Sequence, residues 1–251
     1  MARHCSCPTS APKVISKNQI KNITRLQQKK YRQQEGLFIA EGVKVINEFL
    51  NSAFKLVDFF TTKTFNVENE TLITEAELKK ISALKTPNTA LAVFKIPKLS
   101  LIESKGLIVA LDALRDPGNL GTIIRLCDWF GVKQLLCSKE TVDCFNPKVV
   151  QATMGSLTRV NVFYIDLNHY LEETKQTVFG AFMDGENVYA SNLPTEGILV
   201  LGNEANGISQ SIEKHVNQRI SIPRFGDLQA TESLNVATAG AILLSEFRRS
   251  N

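Results

Sequence analysis

The chain has 251 residues, 43% of them hydrophobic and 22% charged, and its formal net charge is +4 at pH 7. This length and composition indicate a soluble globular protein with one large domain or two small ones. A membrane span is not expected, because no apolar run approaches roughly 20 residues, and a signal peptide is not expected, because segment 1–12 is polar. A metal site is not expected either, because Cys5 and Cys7 lack a second pair of ligands. The chain has five cysteines, an odd number, and they are scattered along the sequence. This is typical of reduced thiols, so we expect a cytoplasmic protein.

Segment 13–32 is predicted to be a basic helix that follows a disordered tail at 1–12. Basic residues recur at every fourth position from Lys17 to Lys29, and the segment contains no acid. Like charges at this spacing repel each other, which favours an anionic partner such as RNA; a solvated helix face is an equally good interpretation. The candidate RNA-binding residues are Lys17, Lys21, Arg25, Lys30 and Arg32.

The first third of the chain alternates between strand-like and helix-like segments. Strands are predicted at 37–40, 54–61 and 90–96, and helices at 43–50 and 75–84. This alternation is typical of a small α/β domain, which we place at 13–97. The segment 98–105 is interpreted as a linker.

The remainder, 106–251, is predicted to be a second domain built on a parallel sheet. Continuous apolar runs at 107–111 and 198–201 are typical of strands that are buried on both faces. Further strands are predicted at 132–137, 160–164, 177–182 and 219–222, and helices at 120–130, 147–154, 167–175, 208–216 and 233–248. Ligands of such sheets bind at the carboxyl ends of the strands, so the loops there are the candidate site.

The first such loop follows strand 107–111 and contains a strong turn signal at 116–119. Asn119 is interpreted either as a helix N-cap or as a ligand-binding group. Arg125 lies among apolar residues, which favours a specific anionic contact over a surface ion pair with Asp128 or Glu140.

The second loop follows strand 198–201 and runs from Gly202 to Gly207. These two glycines permit a close backbone approach or a positive φ. Glu204 between them is interpreted as a site residue or as a charge at a helix start. The loop lacks the Lys-Ser/Thr pair of a nucleotide phosphate loop.

The third loop lies between Pro223 and the last helix. Ser233 and Asn235, with their polar neighbours, supply more hydrogen-bonding groups than helix capping needs, which indicates a ligand pocket. Ile222 and Leu234 would add apolar surface to that pocket.

Together, the three loops resemble the three motifs of the SpoU-type RNA 2′-O-ribose methyltransferases. The resemblance rests on Asn119 with Arg125, on Gly202-Asn203-Glu204, and on Ile222-Pro223 followed by Ser233-Leu234-Asn235-Val236, and it covers 105–249. The segments Lys30-Tyr31-Arg32 and Phe38-Ile39-Ala40-Glu41-Gly42 resemble the substrate-binding domain that is often fused to this family.

The resemblance implies a SPOUT-like fold with a deep trefoil knot, S-adenosylmethionine as cofactor, and a homodimer with a shared active site. It implies methylation of a ribose 2′-hydroxyl in structured RNA, with ribosomal RNA favoured over transfer RNA. The implied catalytic residues are Arg125, Asn119, Glu204 and Asn235, and the implied cofactor-binding residues are Gly202, Ile222, Leu234, Asn203 and Ser233.

The sequence departs from the family pattern after Pro223, where Arg224-Phe225-Gly226 replaces the usual Met, and at Ala237, where the family has Ser. A non-catalytic RNA-binding protein with a degenerate core and a generic metabolite-binding α/β domain remain alternatives. A Rossmann-type enzyme is disfavoured because Gly118-Asn119-Leu120-Gly121 does not match its glycine-rich fingerprint.

Overall fold

A computed structural model of the chain describes residues 15–67, 69–99, 105–226 and 233–249. The chain divides into two compact units, Met1–Ile96 and Pro97–Asn251. The predicted disordered tail and most of the predicted linker lie outside the described residues. Within the described ranges, no helix is long and apolar enough to cross a membrane.

The first unit is a four-stranded sheet with helices packed against it. Its elements are α1 (Lys17–Arg25), α2 (Lys29–Glu35), β1 (Leu37–Glu41), α3 (Val43–Leu50), β2 (Leu56–Thr61), β3 (Glu70–Leu72), α4 (Glu75–Ile81) and β4 (Ala90–Lys95). The strand order is β1-β4-β2-β3; β4 is antiparallel to β1 and β2, and β3 is parallel to β2. The rings of Phe38, Phe49 and Phe94 lie within 6 Å of one another in its core.

The predicted basic helix 13–32 is in fact two helices, because the chain turns between Arg25 and Lys29. Arg32 stabilises this turn: its Nη1 donates to the carbonyl oxygens of Leu26 and Gln27, each at 2.9 Å. These carbonyls follow the last turn of α1, where backbone acceptors lack helical partners. Lys29 therefore belongs to a different helix from Lys17, and the predicted basic face is limited to Lys17, Lys21 and Arg25 on α1.

The second unit is a six-stranded parallel sheet with helices between the strands. Its elements are β5 (Leu107–Leu111), α5 (Pro117–Trp129), β6 (Gln134–Ser138), α6 (Pro147–Thr153), β7 (Asn161–Ile165), α7 (Leu167–Glu173), β8 (Val178–Asn187), β9 (Gly197–Leu201), α8 (Gln210–Glu213), β10 (Gln218–Ser221) and α9 (Val236–Arg248), with a 3₁₀ turn at Ser156–Thr158. The strand order is β10-β8-β9-β5-β6-β7. Every residue of β5 and β9, at the centre, is buried, as their apolar runs predict.

Of the boundaries that differ from the sequence predictions, three bear on the candidate site. Strand β8 continues to Asn187, because Glu186 and Asn187 pair with β10 after a shift in register. Helix α5 begins at Pro117 and its N-cap is Asp116, whose Oδ1 accepts the backbone N–H of Asn119 at 2.8 Å. The N-cap interpretation of Asn119 is therefore wrong. Helix α9 begins only at Val236.

Candidate active site

Three side chains that are far apart in the sequence form one hydrogen-bonded row in the second unit. Asn119 Nδ2 donates to Glu204 Oε1 at 3.0 Å, and Asn235 Nδ2 donates to Asn119 Oδ1 at 2.9 Å. The partners are 85 and 116 residues apart in the sequence. They meet because the loops after β5 and β9 leave the same carboxyl edge of the parallel sheet, and α9 starts beside it.

Each amide in this row is oriented by the helix on which it lies. Asn235 is the N-cap of α9, and its Oδ1 accepts the backbone N–H groups of Ala237 and Thr238 at 3.0 and 3.2 Å. Its Nδ2 is then the atom that can reach Asn119. Asn119 lies in the first turn of α5, held by the Asp116 cap. Asn235 thus both caps α9 and binds Asn119, which explains part of the surplus of polar residues before the last helix.

The loop after β9 is a tight hairpin that displays Glu204. Asn203 and Gly207 exchange backbone hydrogen bonds at 2.8 and 2.9 Å, and Gly207 has a φ of +67°. A Cβ on Gly202 would lie 2.2 Å from the carbonyl carbon of Gly207. Any side chain at Gly202 would therefore force the hairpin open.

Asn203 holds this hairpin against the loop after β5. Its Nδ2 donates to the carbonyl oxygen of Ala113 at 2.6 Å, and its Oδ1 accepts the N–H groups of Ala205 and Asn206. Nearby, the buried Asp112 accepts the N–H of Ser209 at 2.7 Å. Hydrogen bonds therefore connect the two loops on both sides of Glu204 in the sequence.

A cavity of about 1040 Å³ lies beside the row. It is lined by the hairpin loop that follows β9 and by residues of β8, β9, β10 and α9. The residues lining it include all five that the resemblance assigns to the cofactor: Gly202, Asn203, Ile222, Ser233 and Leu234. Glu204 also lines it, so the row and the cavity share one side chain.

The profile of the SpoU rRNA methylase family matches residues 106–245, more than half of the chain. The chain belongs to the SpoU rRNA methylase family. The profile of the MRM3-like substrate binding domain matches residues 17–92 in the first unit. Both matches confirm the family resemblance drawn from the motifs.

Known proteins of this kind resemble the chain over nearly its whole length. It is 28% identical to the 23S rRNA (guanosine(2553)-2'-O)-methyltransferase RlmP of Bacillus subtilis, over 93% of this chain and 97% of the relative. A Porphyromonas gingivalis structure assigned to the TrmH family of RNA methyltransferases has a TM-score of 0.86 at 37% identity, covering 94% of this chain and 99% of that one. An AdoMet-bound rRNA methyltransferase from Sinorhizobium meliloti has a TM-score of 0.83 at 28% identity, covering 95% and 98%. The predicted α/β fold class is confirmed.

Arg125 is set apart from the other three family residues. It is exposed on α5, it does not line the cavity, and it forms no hydrogen bond or ion pair with any described residue. The suggested surface partner Asp128 is instead bound by Arg159, with an Nη2–Oδ2 distance of 2.9 Å. Within one copy of the described chain, Arg125 and the row of Asn119 are therefore not brought together.

The RNA-binding candidates of the first unit divide into exposed and structural residues. Lys17, Lys21 and Lys30 are exposed. Arg25 is half-buried and paired with Glu35 at 3.0 Å, so its charge is partly neutralised. Arg32 is only 1% exposed and serves the turn after α1, so its prediction as an RNA contact is wrong. The sequence pattern of basic residues could not reveal this, because a buried arginine that binds backbone carbonyls looks the same in it as an exposed one.

Several contributors to the site were missed at the sequence level. Asp112 and Asp116 position the two loops, yet each is an ordinary turn residue in sequence. The side-chain amide of Asn203, predicted to bind cofactor, is engaged in holding the hairpin. The described residues contain no group of three or more His, Cys, Asp and Glu side chains able to hold a metal ion.

Proposed function

We propose that this protein methylates a ribose 2′-hydroxyl of structured RNA, ribosomal RNA in preference to transfer RNA, with S-adenosylmethionine as the methyl donor. The single observation that carries the proposal is the row Glu204–Asn119–Asn235 beside a large cavity. The family match and the names of the relatives support the same activity.

The cavity fits the proposed cofactor in size and chemistry. Its volume of about 1040 Å³ is just above the roughly 300–1,000 Å³ of typical small-molecule sites. Ile222 and Leu234 offer apolar contacts to an adenine ring, and the backbone near Gly202 and Ser233 offers hydrogen-bonding groups. We assign Asn203 a positioning role, because its amide already holds the hairpin. When bound, the cofactor supplies a methyl group made electrophilic by a positively charged sulfur.

The protein must then align the ribose hydroxyl and help it lose its proton. In the transfer, the S–CH₃ bond breaks, a C–O bond forms, and the proton leaves to a phosphate oxygen or to water. Asn119 and Glu204 are proposed to hold the ribose, with Asn235 fixing Asn119. A guanidinium is a poor general base, so Arg125 is proposed to stabilise the developing alkoxide electrostatically.

We further propose that Arg125 acts in the site of a second copy of the chain. This proposal is supported by its exposure, by its separation from the cavity of its own chain, and by the shared active sites of the family that the motifs resemble. The homodimer, the trefoil knot and a cytoplasmic location belong to the same proposal. Sedimentation of the purified protein as a dimer tests the first of these.

The decisive substitution is Arg125→Ala. We expect turnover to fall by roughly 10²–10⁴, the range for a positioned electrostatic group, while the cofactor Kd is unchanged. Transfer of labelled methyl groups to an unmodified ribosomal RNA transcript measures the first quantity, and calorimetry the second. Lys133→Ala is the control, because Lys133 is an exposed cation just before β6, at the opposite edge of the sheet. Near-normal turnover of the Arg125→Ala protein would remove Arg125 from the mechanism.

Mixing of two inactive variants tests the shared site. A dimer that combines an Arg125→Ala copy with a Glu204→Ala copy has one site in which both groups are native, if Arg125 acts across the interface. We expect activity to reappear on mixing after subunit exchange. Continued inactivity of hybrid dimers would place Arg125 in the site of its own chain.

The non-catalytic alternative is not favoured, because the side chains of the three motifs are present and mutually hydrogen-bonded. A protein that bound RNA but never transferred a methyl group would revive that alternative.

A further inference from the structure

Two exposed aromatic rings lie against each other in the second unit. The ring centroids of Tyr189 and Phe225 are 6.5 Å apart and their planes are inclined by 28°, which is a stacked arrangement. Phe225 is 82% exposed and Tyr189 is 38% exposed. A stacked pair with so much ring surface in water costs hydration free energy, which binding of a flat ligand would recover.

The pair begins at the rim of the cavity and leads away from it. Phe225 lines the cavity, whereas Tyr189 does not. Tyr189 follows the end of β8 in an anchored turn: its N–H donates to Asn187 Oδ1 at 3.0 Å, and the fully buried Val188 donates to the carbonyl oxygen of Ser221 at 2.9 Å. One ring is therefore held by the sheet, and the other extends from the cavity mouth.

We propose that Phe225 and Tyr189 form a stacking platform for a nucleobase of the RNA substrate, next to the nucleotide whose ribose enters the cavity. This inference rests on the proposed function and adds to it the residues that bind a flanking base. Aromatic side chains stack on bases of single-stranded RNA with little dependence on sequence. Arg224, which precedes Phe225, is also exposed and lines the cavity.

The exposure of Phe225 favours RNA over the cofactor as its ligand. The enclosed part of the cavity is already lined by buried apolar side chains such as Leu201, Ile220 and Leu243. A cofactor bound there does not need a ring that is four-fifths in solvent. Phe225 also lies in the segment that departs from the family pattern.

Matched substitutions of Phe225 separate stacking from simple hydrophobic bulk. Phe225→Leu keeps an apolar side chain but removes the ring, and Phe225→Trp keeps a ring. With an unmodified ribosomal RNA transcript, we expect Phe225→Leu to raise the RNA KM about five- to hundredfold, the effect of losing one base stack. We expect Phe225→Trp to stay near the native KM. The cofactor Kd should be unchanged in both variants.

Binding of a short single-stranded oligoadenylate to the full-length protein tests the platform without relying on catalysis. Fluorescence anisotropy should show weaker binding to the Phe225→Leu protein than to the native one. The difference should vanish with a fully abasic oligonucleotide, because only the bases stack. If oligoadenylate binding shows this pattern while no RNA is ever methylated, the platform stands and the proposed function fails.

Four results would overturn the inference. An altered cofactor Kd with a native RNA KM would assign Phe225 to the cofactor site. A shift from dimer to monomer in Phe225→Leu would make the pair an interface between copies. An equal loss of affinity for the base-containing and the abasic oligonucleotides would indicate a phosphate contact instead. A native RNA KM together with native oligoadenylate binding in Phe225→Leu would show that the pair has no role in RNA binding.

Discussion

Replacing Asn119 by Asp keeps the shape of the side chain but places a second carboxylate beside Glu204. The Asn119 Nδ2 and Glu204 Oε1 atoms are 3.0 Å apart. Two unit charges at about 3 Å repel by about 1.4 kcal/mol in bulk water and by about 5.5 kcal/mol at an effective dielectric constant of 20. Glu204 is exposed and Asn119 is half-buried, so we expect the lower part of this range, about 1.5–3 kcal/mol. For a unit of this size, that corresponds to a fall in Tm of roughly 3–12 °C.

A double-mutant cycle with Glu204→Gln isolates the contact. In the double variant, the amide of residue 204 donates to the carboxylate of residue 119, so the hydrogen bond is restored with its direction reversed. Asn235 can still donate to the carboxylate at position 119. We expect the double variant to recover most of the stability lost by Asn119→Asp, with a coupling free energy of at least about 1 kcal/mol. Additive effects in thermal or denaturant unfolding would refute the contact between the first and second motifs.

Two further predictions concern the first unit. The double variant Lys17→Gln, Lys21→Gln should bind RNA more weakly and should lower the slope of log K against log salt by up to about 2, as measured in a filter-binding titration. The control variant Lys79→Gln, Lys80→Gln should change neither quantity. Equal effects in the two variants would indicate that α1 is only a solvated helix. Burial raises the pKa of Glu41 above its ordinary value, so the folded unit holds this proton more tightly than the unfolded chain does. Stability should therefore fall as pH rises from about 4 through the raised pKa, and Glu41→Gln should flatten that part of a Tm–pH curve; an unchanged slope would contradict this assignment.

The sequence predicts the parallel sheet of the second unit well because burial on both faces leaves a plain signal. The runs Leu107–Leu111 and Gly197–Leu201 contain no charged residue, and both form central strands. The three-residue strand Glu70–Leu72 was missed, since it is a half-buried edge strand with no apolar run. Short edge strands are specified by their neighbour in the sheet rather than by their own residues.

The convergence of the motifs could be predicted, but the detailed contacts could not. Parallel strands send their carboxyl ends to one edge, so Asn119 and Glu204 were expected at the same place. The choice of N-cap could not be made from sequence, because Asp116 and Asn119 are both good caps three residues apart. Likewise, Asn203 was interpreted as a ligand-binding group although its partner, Ala113, is 90 residues away. Such contacts depend on how two loops pack, which a local pattern does not encode.

The break in the basic helix shows a different limit of pattern reasoning. Periodic charges from Lys17 to Lys29 favour one continuous helix, yet the chain turns after Arg25. The buried Leu26 and the carbonyl contacts of Arg32 stabilise the turn. A buried arginine and a solvated one look identical in a charge pattern, so the error in assigning Arg32 to RNA follows from the same cause.

The measurement that tests the central claim most directly is a map of 2′-O-methyl groups in total RNA from cells with and without this gene. We predict that one ribose in ribosomal RNA loses its methyl group in the deletion strain. The native gene should restore it, and a gene carrying Arg125→Ala should not. Identical maps in the two strains would contradict ribose methylation by this protein, and a loss confined to transfer RNA would contradict the assignment of its substrate.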